Sequence, residues 1–136
     1  SSYQSVSGAG VKAMDELYHQ TKMRFGGNGS QSKIMPREIA FNIIPQIGEF
    51  LANGSCEEEN KIIKETRRIL NSDIYLDVTC TRVPVFVGHS EAVYIECEND
   101  ILADKAIKLL SDAPTVQVMQ NNNDYVHAMP CVRTWS

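Results

Sequence analysis

No apolar run in this sequence approaches the roughly 20 residues that would span a membrane, and no charged-then-apolar leader opens it. A membrane partner is therefore not expected, and the location expected is the cytoplasm. Basic residues are also few. Thirteen Lys and Arg against 17 Asp and Glu leave a net charge of −4, and the basic residues are scattered, which speaks against a nucleic-acid surface. Cysteine is sparse and poorly spaced for chemistry: Cys56, Cys80, Cys97 and Cys131 form no C-x-x-C pair, so neither a zinc site nor a thioredoxin-type centre is indicated. Reduced thiols are the expectation. No G-x-G-x-x-G loop follows a strand-like run, and there is no repeat, linker or second core. What remains is an ordinary balance, 43% apolar and 22% charged over 136 residues, enough for one domain, 1–136, with a real core.

Periodicity supplies the elements. Val11, Met14, Leu17, Tyr18 and Thr21 recur at helical spacing, with Lys12, Asp15, Glu16 and His19 opposite, predicting a helix over 5–22. Ser5 or Ser7 is placed to cap it. The glycines Gly8 and Gly10 suit close packing at its start better than a phosphate cradle. Gln4 stands just before the helix as an uncharged donor and acceptor. After an irregular Gly-rich loop, 23–38, residues 39–44 read as a short strand stopped by Pro45. Ser55 and Glu58 have capping-box spacing, and three glutamates fill the first turn of the helix that follows. Its apolar stripe is Ile62, Ile63, Thr66, Ile69 and Leu70. Lys61 lies one turn after Glu58, where a surface ion pair is an adequate reading. The period then becomes two: 74–81 and 93–98 read as strands, 99–110 as a helix and 116–119 as a last strand. Residues 120–136 show no usable period. Alternating strands interrupted by amphipathic helices predict an α+β fold, a sheet covered on one face by helices. Its other face, with Tyr75, Thr79, Thr81, Val83 and Tyr94, is mixed and aromatic, and predicts self-association.

Between those strands lies the stretch from Arg82 to His89. It places a fixed cation and an imidazole seven residues apart in an otherwise apolar run. Fully extended, the two would stand roughly 23 Å apart at about 3.3 Å per residue. Pro84 and Gly88 permit a turn that brings both to one pocket. The pair then reads as an anion-gripping Arg beside an acid/base His. An Arg satisfied by carbonyls at a strand end and a half-buried His are the competing reading.

Four blocks, in order, carry a resemblance: 2–10 (SYQSVSGAG), 41–47 (FNIIPQI), 65–70 (ETRRIL), and RVP at 82–84 with GHSEA at 88–92. Together they resemble aspartate-semialdehyde dehydrogenase over 1–119, and within it only the second domain, which is similar to the C-terminal domain of glyceraldehyde-3-phosphate dehydrogenase. The resemblance implies a piece of a longer enzyme, with the cofactor domain and nucleophilic cysteine upstream of Ser1. The family's closing segment is not recognisable in 124–136.

The implied reaction is reductive dephosphorylation of aspartyl-β-phosphate to the semialdehyde with NADPH, through a cysteine thioacyl intermediate, in lysine, threonine and methionine biosynthesis. By resemblance Gln4 orients the acyl group, Arg82 grips the α-carboxylate and His89 is the acid/base catalyst. Glu58 meets the α-amino group and Lys61 the phosphate. These residue types suit those tasks: a carboxylate fits the Arg fork, and an imidazole titrates in the working pH range. The resemblance also implies a homodimer. N-acetyl-glutamyl-phosphate reductase, with the same class of chemistry, and a non-catalytic dimerisation or amino-acid-binding module are the alternatives. The chain alone is expected to be inactive.

Overall fold

A computed structural model describes residues 1–119. They fall into two compact units, 1–92 and 93–119. The first holds a three-stranded sheet in the order β2-β1-β3, with β1 at Ser2–Gln4, β2 at Cys80–Arg82 and β3 at Ser90–Glu91. The central β1 runs parallel to β2, with Gln4 opposite Arg82, and antiparallel to β3. The first and last stretches of this unit are thereby joined. Helices α1, Val11–Phe25, and α2, Glu57–Leu70, complete it. Sheet and helices together make the α+β architecture expected from the alternating periods.

The predicted helix over 5–22 is divided. A single 3₁₀ turn occupies Val6–Ala9, and α1 starts only at Val11. The cause is Gly10, whose φ of 89° no helix accommodates. Beyond it, Ala13 and Leu17 join Val6, Met35, Ile39, Ala40 and Ile44 in the main core. Glu16, expected on the polar side, is buried instead. Its carboxylate accepts the backbone N–H groups of Lys33, Ile34 and Met35 at 2.7–3.0 Å. One turn later Gln20 Oε1 accepts those of Ile39 and Ala40. Two polar residues of α1 thus satisfy the amides of a loop that has no ladder of its own.

That loop also explains why 39–44 is not a strand. Phe41 sits at φ 59°, which turns the chain, and only Ile44 pairs, with Arg82. The cap of α2 lies one residue later than expected. Cys56 is its N-cap and Glu59, not Glu58, completes the capping box, with Cys56 N donating to Glu59 Oε2 at 2.8 Å. Ser55 Oγ donates to Asn53. Glu59 Oε1 in turn accepts the amide of Cys80 at 3.0 Å, tying the helix start to β2. Ile62 reaches a second small core of Ile47, Cys56 and Cys80, whereas Ile69 and Leu70, counted in the apolar stripe, are exposed.

Strand formation along 74–81 is confined to its last two residues, with β2 continuing through Arg82, because an extended run becomes a strand only where a neighbour supplies a ladder. In the second unit, 93–98 and 116–119 form no strand among the described residues. The helix predicted over 99–110 is there as α3, Ala103–Ser111, starting after Leu102. The tail 120–136, with Cys131, lies outside the described residues.

Candidate functional site

The sheet register puts Gln4 and Arg82 on adjacent strands at the same level. Both side chains are buried. From there the chain turns back as the sequence expected, with Gly88 at φ 91° supplying the bend before His89. The returning loop is fastened by three backbone bonds at 2.9–3.0 Å, one to the end of β1, Val83 N to Gln4 O, and two to the 3₁₀ turn, Val6 N to Val85 O and Ser7 N to Phe86 O. Arg82 and His89 consequently converge on one residue, Ser5. Arg82 Nη1 donates to the Ser5 carbonyl at 2.7 Å. Ser5 N donates to His89 Nδ1 at 3.3 Å, and Ser5 Oγ lies 3.1 Å from the same nitrogen.

The first two turns of α2 deliver the other two predicted residues. Gln4 Nε2 donates to Glu58 Oε1 at 3.4 Å and to Ser2 Oγ at 3.3 Å. Lys61 Nζ stands 3.3 Å from both Glu58 oxygens. All five sequence-predicted residues therefore belong to two linked groups: Gln4, Glu58 and Lys61 in one, and Arg82 and His89, through Ser5, in the other. The chain step from Gln4 to Ser5 joins them.

Arg82 is 7% exposed, yet among the described residues no carboxylate forms an ion pair with it. Burial lowers its pKa, with Glu58 and Cys80 acting in the opposite direction, and guanidinium stays charged regardless. A buried cation held by a carbonyl and lacking a carboxylate partner is suited to an anionic guest. Its seat is close-fitting: a Cβ on Gly8 would come to 3.0 Å from Arg82 Nη1. The glycines read from sequence as close-packing residues include this one, though the partner could not be inferred.

Cys80 lies beside Gln4, with Sγ 4.0 Å from Nε2. It is not poised as a nucleophile. Burial first, then the nearby groups Cys56, Glu59, Glu58 and Glu91, push its thiol up to about 12. Sequence reasoning missed Ser5 as a hub, having placed it as a helix cap, and missed Glu59 and Glu91. Glu91 accepts from Ser2 Oγ at 3.2 Å. Nothing local marks Ser5 as a hub, because Arg82 and His89 lie 77 and 84 residues away from it.

Comparison with known proteins bears on what this arrangement serves. Residues 1–133 match the family model described as semialdehyde dehydrogenase, dimerisation domain. Aspartate-semialdehyde dehydrogenase of Rickettsia typhi is 43% identical over 130 residues, covering 96% of this chain and 38% of that protein. The Bacillus subtilis protein of the same name is 42% identical over 139 residues, covering 96% and 40%. The crystal structure of aspartate semialdehyde dehydrogenase II from Vibrio cholerae, complexed with ASA, superposes with a TM-score of 0.89 at 38% identity, covering 94% of this chain and 38% of that one. The chain thus spans about two fifths of the length of these relatives. It belongs to the semialdehyde dehydrogenase dimerisation-domain family.

Proposed function

We propose that this chain is the substrate-binding and subunit-pairing part of an aspartate-semialdehyde dehydrogenase. The whole enzyme would convert aspartyl-β-phosphate to aspartate β-semialdehyde and phosphate with NADPH, in lysine, threonine and methionine biosynthesis in the cytoplasm. The observation that carries the reading is Arg82, buried without a carboxylate partner and joined through Ser5 to His89.

Arg82 takes the substrate's α-carboxylate in charge-assisted bonds. Glu58 takes the α-amino group, and Lys61 beside it presents a compact cation to phosphate. Gln4, held between Ser2 and Glu58, orients the acyl carbon through its amide. His89 handles the proton at the reacting carbonyl. Chain pairing follows from the family's dimerisation role, and the homodimer is its simplest form.

The dinucleotide supplies the hydride in such a reaction. The described residues do not fit it: of the two glycines leading into α1, Gly8 lies inside a 3₁₀ turn and Gly10 ends it, and Gly8 faces Arg82. On this reading the cofactor and the nucleophilic thiol belong to another part of the whole enzyme, and the 136-residue chain alone should show no turnover.

The test is the full-length protein carrying this segment, assayed for phosphate- and NADP-dependent oxidation of aspartate β-semialdehyde. Turnover supports the reading. Preference for N-acetyl-glutamate semialdehyde, or no turnover of either aldehyde, overturns it in favour of the reductase or of a non-catalytic module.

A further inference from the structure

His89 is exposed, but its Nδ1 is not free: it meets both the amide and the hydroxyl of Ser5, which is fully buried. The two contacts differ in kind. A backbone N–H can only donate, so it requires a bare Nδ1. A hydroxyl can donate or accept, and this one has a second hydroxyl behind it, Ser7 Oγ at 2.9 Å. Nε2 has no hydrogen-bond partner among the described residues, so it is the nitrogen left for a substrate.

We propose that Ser5 is a positioning residue for His89. Its amide fixes the neutral ring as the Nε2–H tautomer, and its hydroxyl accepts the Nδ1 proton when the ring is charged. In the neutral ring, Ser7 Oγ–H donates to Ser5 Oγ, and Ser5 Oγ–H donates to Nδ1. In the imidazolium, Nδ1–H donates to Ser5 Oγ, and Ser5 Oγ–H turns to Ser7. The two patterns differ by the proton on Nδ1, which takes away the acceptor of the Ser5 amide, and by rotation of the two hydroxyls; no proton leaves either serine. The neutral Nδ1–H tautomer is disfavoured, because it would strand the buried Ser5 amide without an acceptor.

The consequence is directional. Resting neutral His89 offers substrate a donor at Nε2 rather than a base. Charged groups on the packed elements are engaged elsewhere. Arg82 on β2 binds the Ser5 carbonyl, Glu91 on β3 binds Ser2, and Glu58 on α2 binds Gln4 and Lys61. The direct contacts of Nδ1 are therefore both uncharged.

This assignment builds on His89 as the acid/base residue, but its test does not depend on turnover. Long-range proton–nitrogen NMR of the 136-residue chain, above the imidazole titration, reads the tautomer directly. Nε2–H is expected as the major form, and a major Nδ1–H form would overturn the proposal. The second measurement follows the His89 ring signals with pH in Ser5→Ala and Ser5→Thr. Ser5→Ala removes a hydroxyl whose charge-assisted bond to the imidazolium is stronger than its bond to the neutral ring, so the midpoint should move to lower pH, and Ser5→Thr should bring it back. A midpoint unmoved in Ser5→Ala would overturn the hydroxyl's role. Should the Nε2–H tautomer be found while His89→Asn leaves full-length turnover intact, the catalytic reading fails and the positioning of the ring by Ser5 stands.

Discussion

Gln4 and Glu58, 54 residues apart in sequence, meet with Nε2 3.4 Å from Oε1, and Lys61 approaches the same carboxylate at 3.3 Å. The strand end and the helix start thus share one acidic group. Lys61 and Glu58 are also an i,i+3 pair, with side chains 55% and 21% exposed, so solvent screens their attraction. Lys61→Ala should therefore lower stability by no more than about 0.5 kcal/mol. In the full-length enzyme the same change should raise KM for phosphate clearly more than KM for the semialdehyde. Denaturant unfolding and steady-state kinetics separate these. A loss of several kcal/mol with unchanged phosphate KM would return Lys61 to a purely structural role.

Glu59 joins α2 to β2 through the amides of Cys56 and Cys80. Burial pushes its carboxyl up, but the Cys80 and Cys56 amides and the Cys56 thiol together outweigh it and hold the group below its ordinary 4.5. A lowered carboxylate contributes stability above its unfolded value, lost as pH falls through the folded one. Glu59→Gln should cost about 1–3 kcal/mol at pH 7, and the gap to wild type should narrow below about pH 4.5. Chemical denaturation at pH 7 and pH 3.5 checks this. A gap that does not narrow would mean that the carboxylate's charge is not what stabilises the junction.

The thiols should react in the order of their exposure. Cys97 is exposed, and Cys56 and Cys80 are buried. A thiol reagent at pH 8 should modify Cys97 readily and reach Cys80 only on unfolding. The raised Cys80 also makes an alkaline prediction. Unfolded thiol ionises near 9.0 and the folded one near about 12, so its contribution is complete below pH 9 and is lost as pH climbs through that window. Mass mapping of labelled peptides is decisive: Cys80 labelled as fast as Cys97 would contradict the burial.

Self-association is expected of the chain itself. Tyr75 and Tyr94, expected on one face of the sheet, lie in no strand among the described residues, but each is a large aromatic ring left to water, 89% and 88% exposed. Sedimentation at micromolar concentration should show a dimer, and an aspartate in place of Tyr94 should weaken it. A monomer of 15.2 kDa at all concentrations would contradict the pairing role.

Local signals explain what was legible before any coordinates. Gly88 announced the turn that returns His89, and the three glutamates announced the start of α2. Its capping box was read one residue early because Ser55 is the better capping residue by type, yet Cys56 holds the position. The capping oxygens come from Glu59, whose second partner, Cys80, is 21 residues on. The strand predicted over 39–44 failed because α1 supplies acceptors for that loop through Glu16 and Gln20, which no local pattern records. Ser5 was invisible as a hub for the same reason: a residue's long-range partners are set by sheet order, and β1 between β2 and β3 is a non-local outcome.

The proposal that Arg82 and His89 serve one substrate is tested most directly by the split between kcat and KM in the full-length enzyme. Arg82→Lys keeps the charge and loses the fork. Loss of one charge-assisted bond costs on the order of 1.5–3 kcal/mol, or roughly 10- to 150-fold in kcat/KM, carried mainly by a higher KM because ground and transition states share the contact. His89→Asn removes the transferable proton, and about 10²–10⁴-fold should be lost in kcat with KM little changed. The contradicting result is the reverse split, with Arg82→Lys acting only on kcat and His89→Asn only on KM. Unchanged kinetics in both variants would equally contradict the account and leave the two residues as strand-end structure.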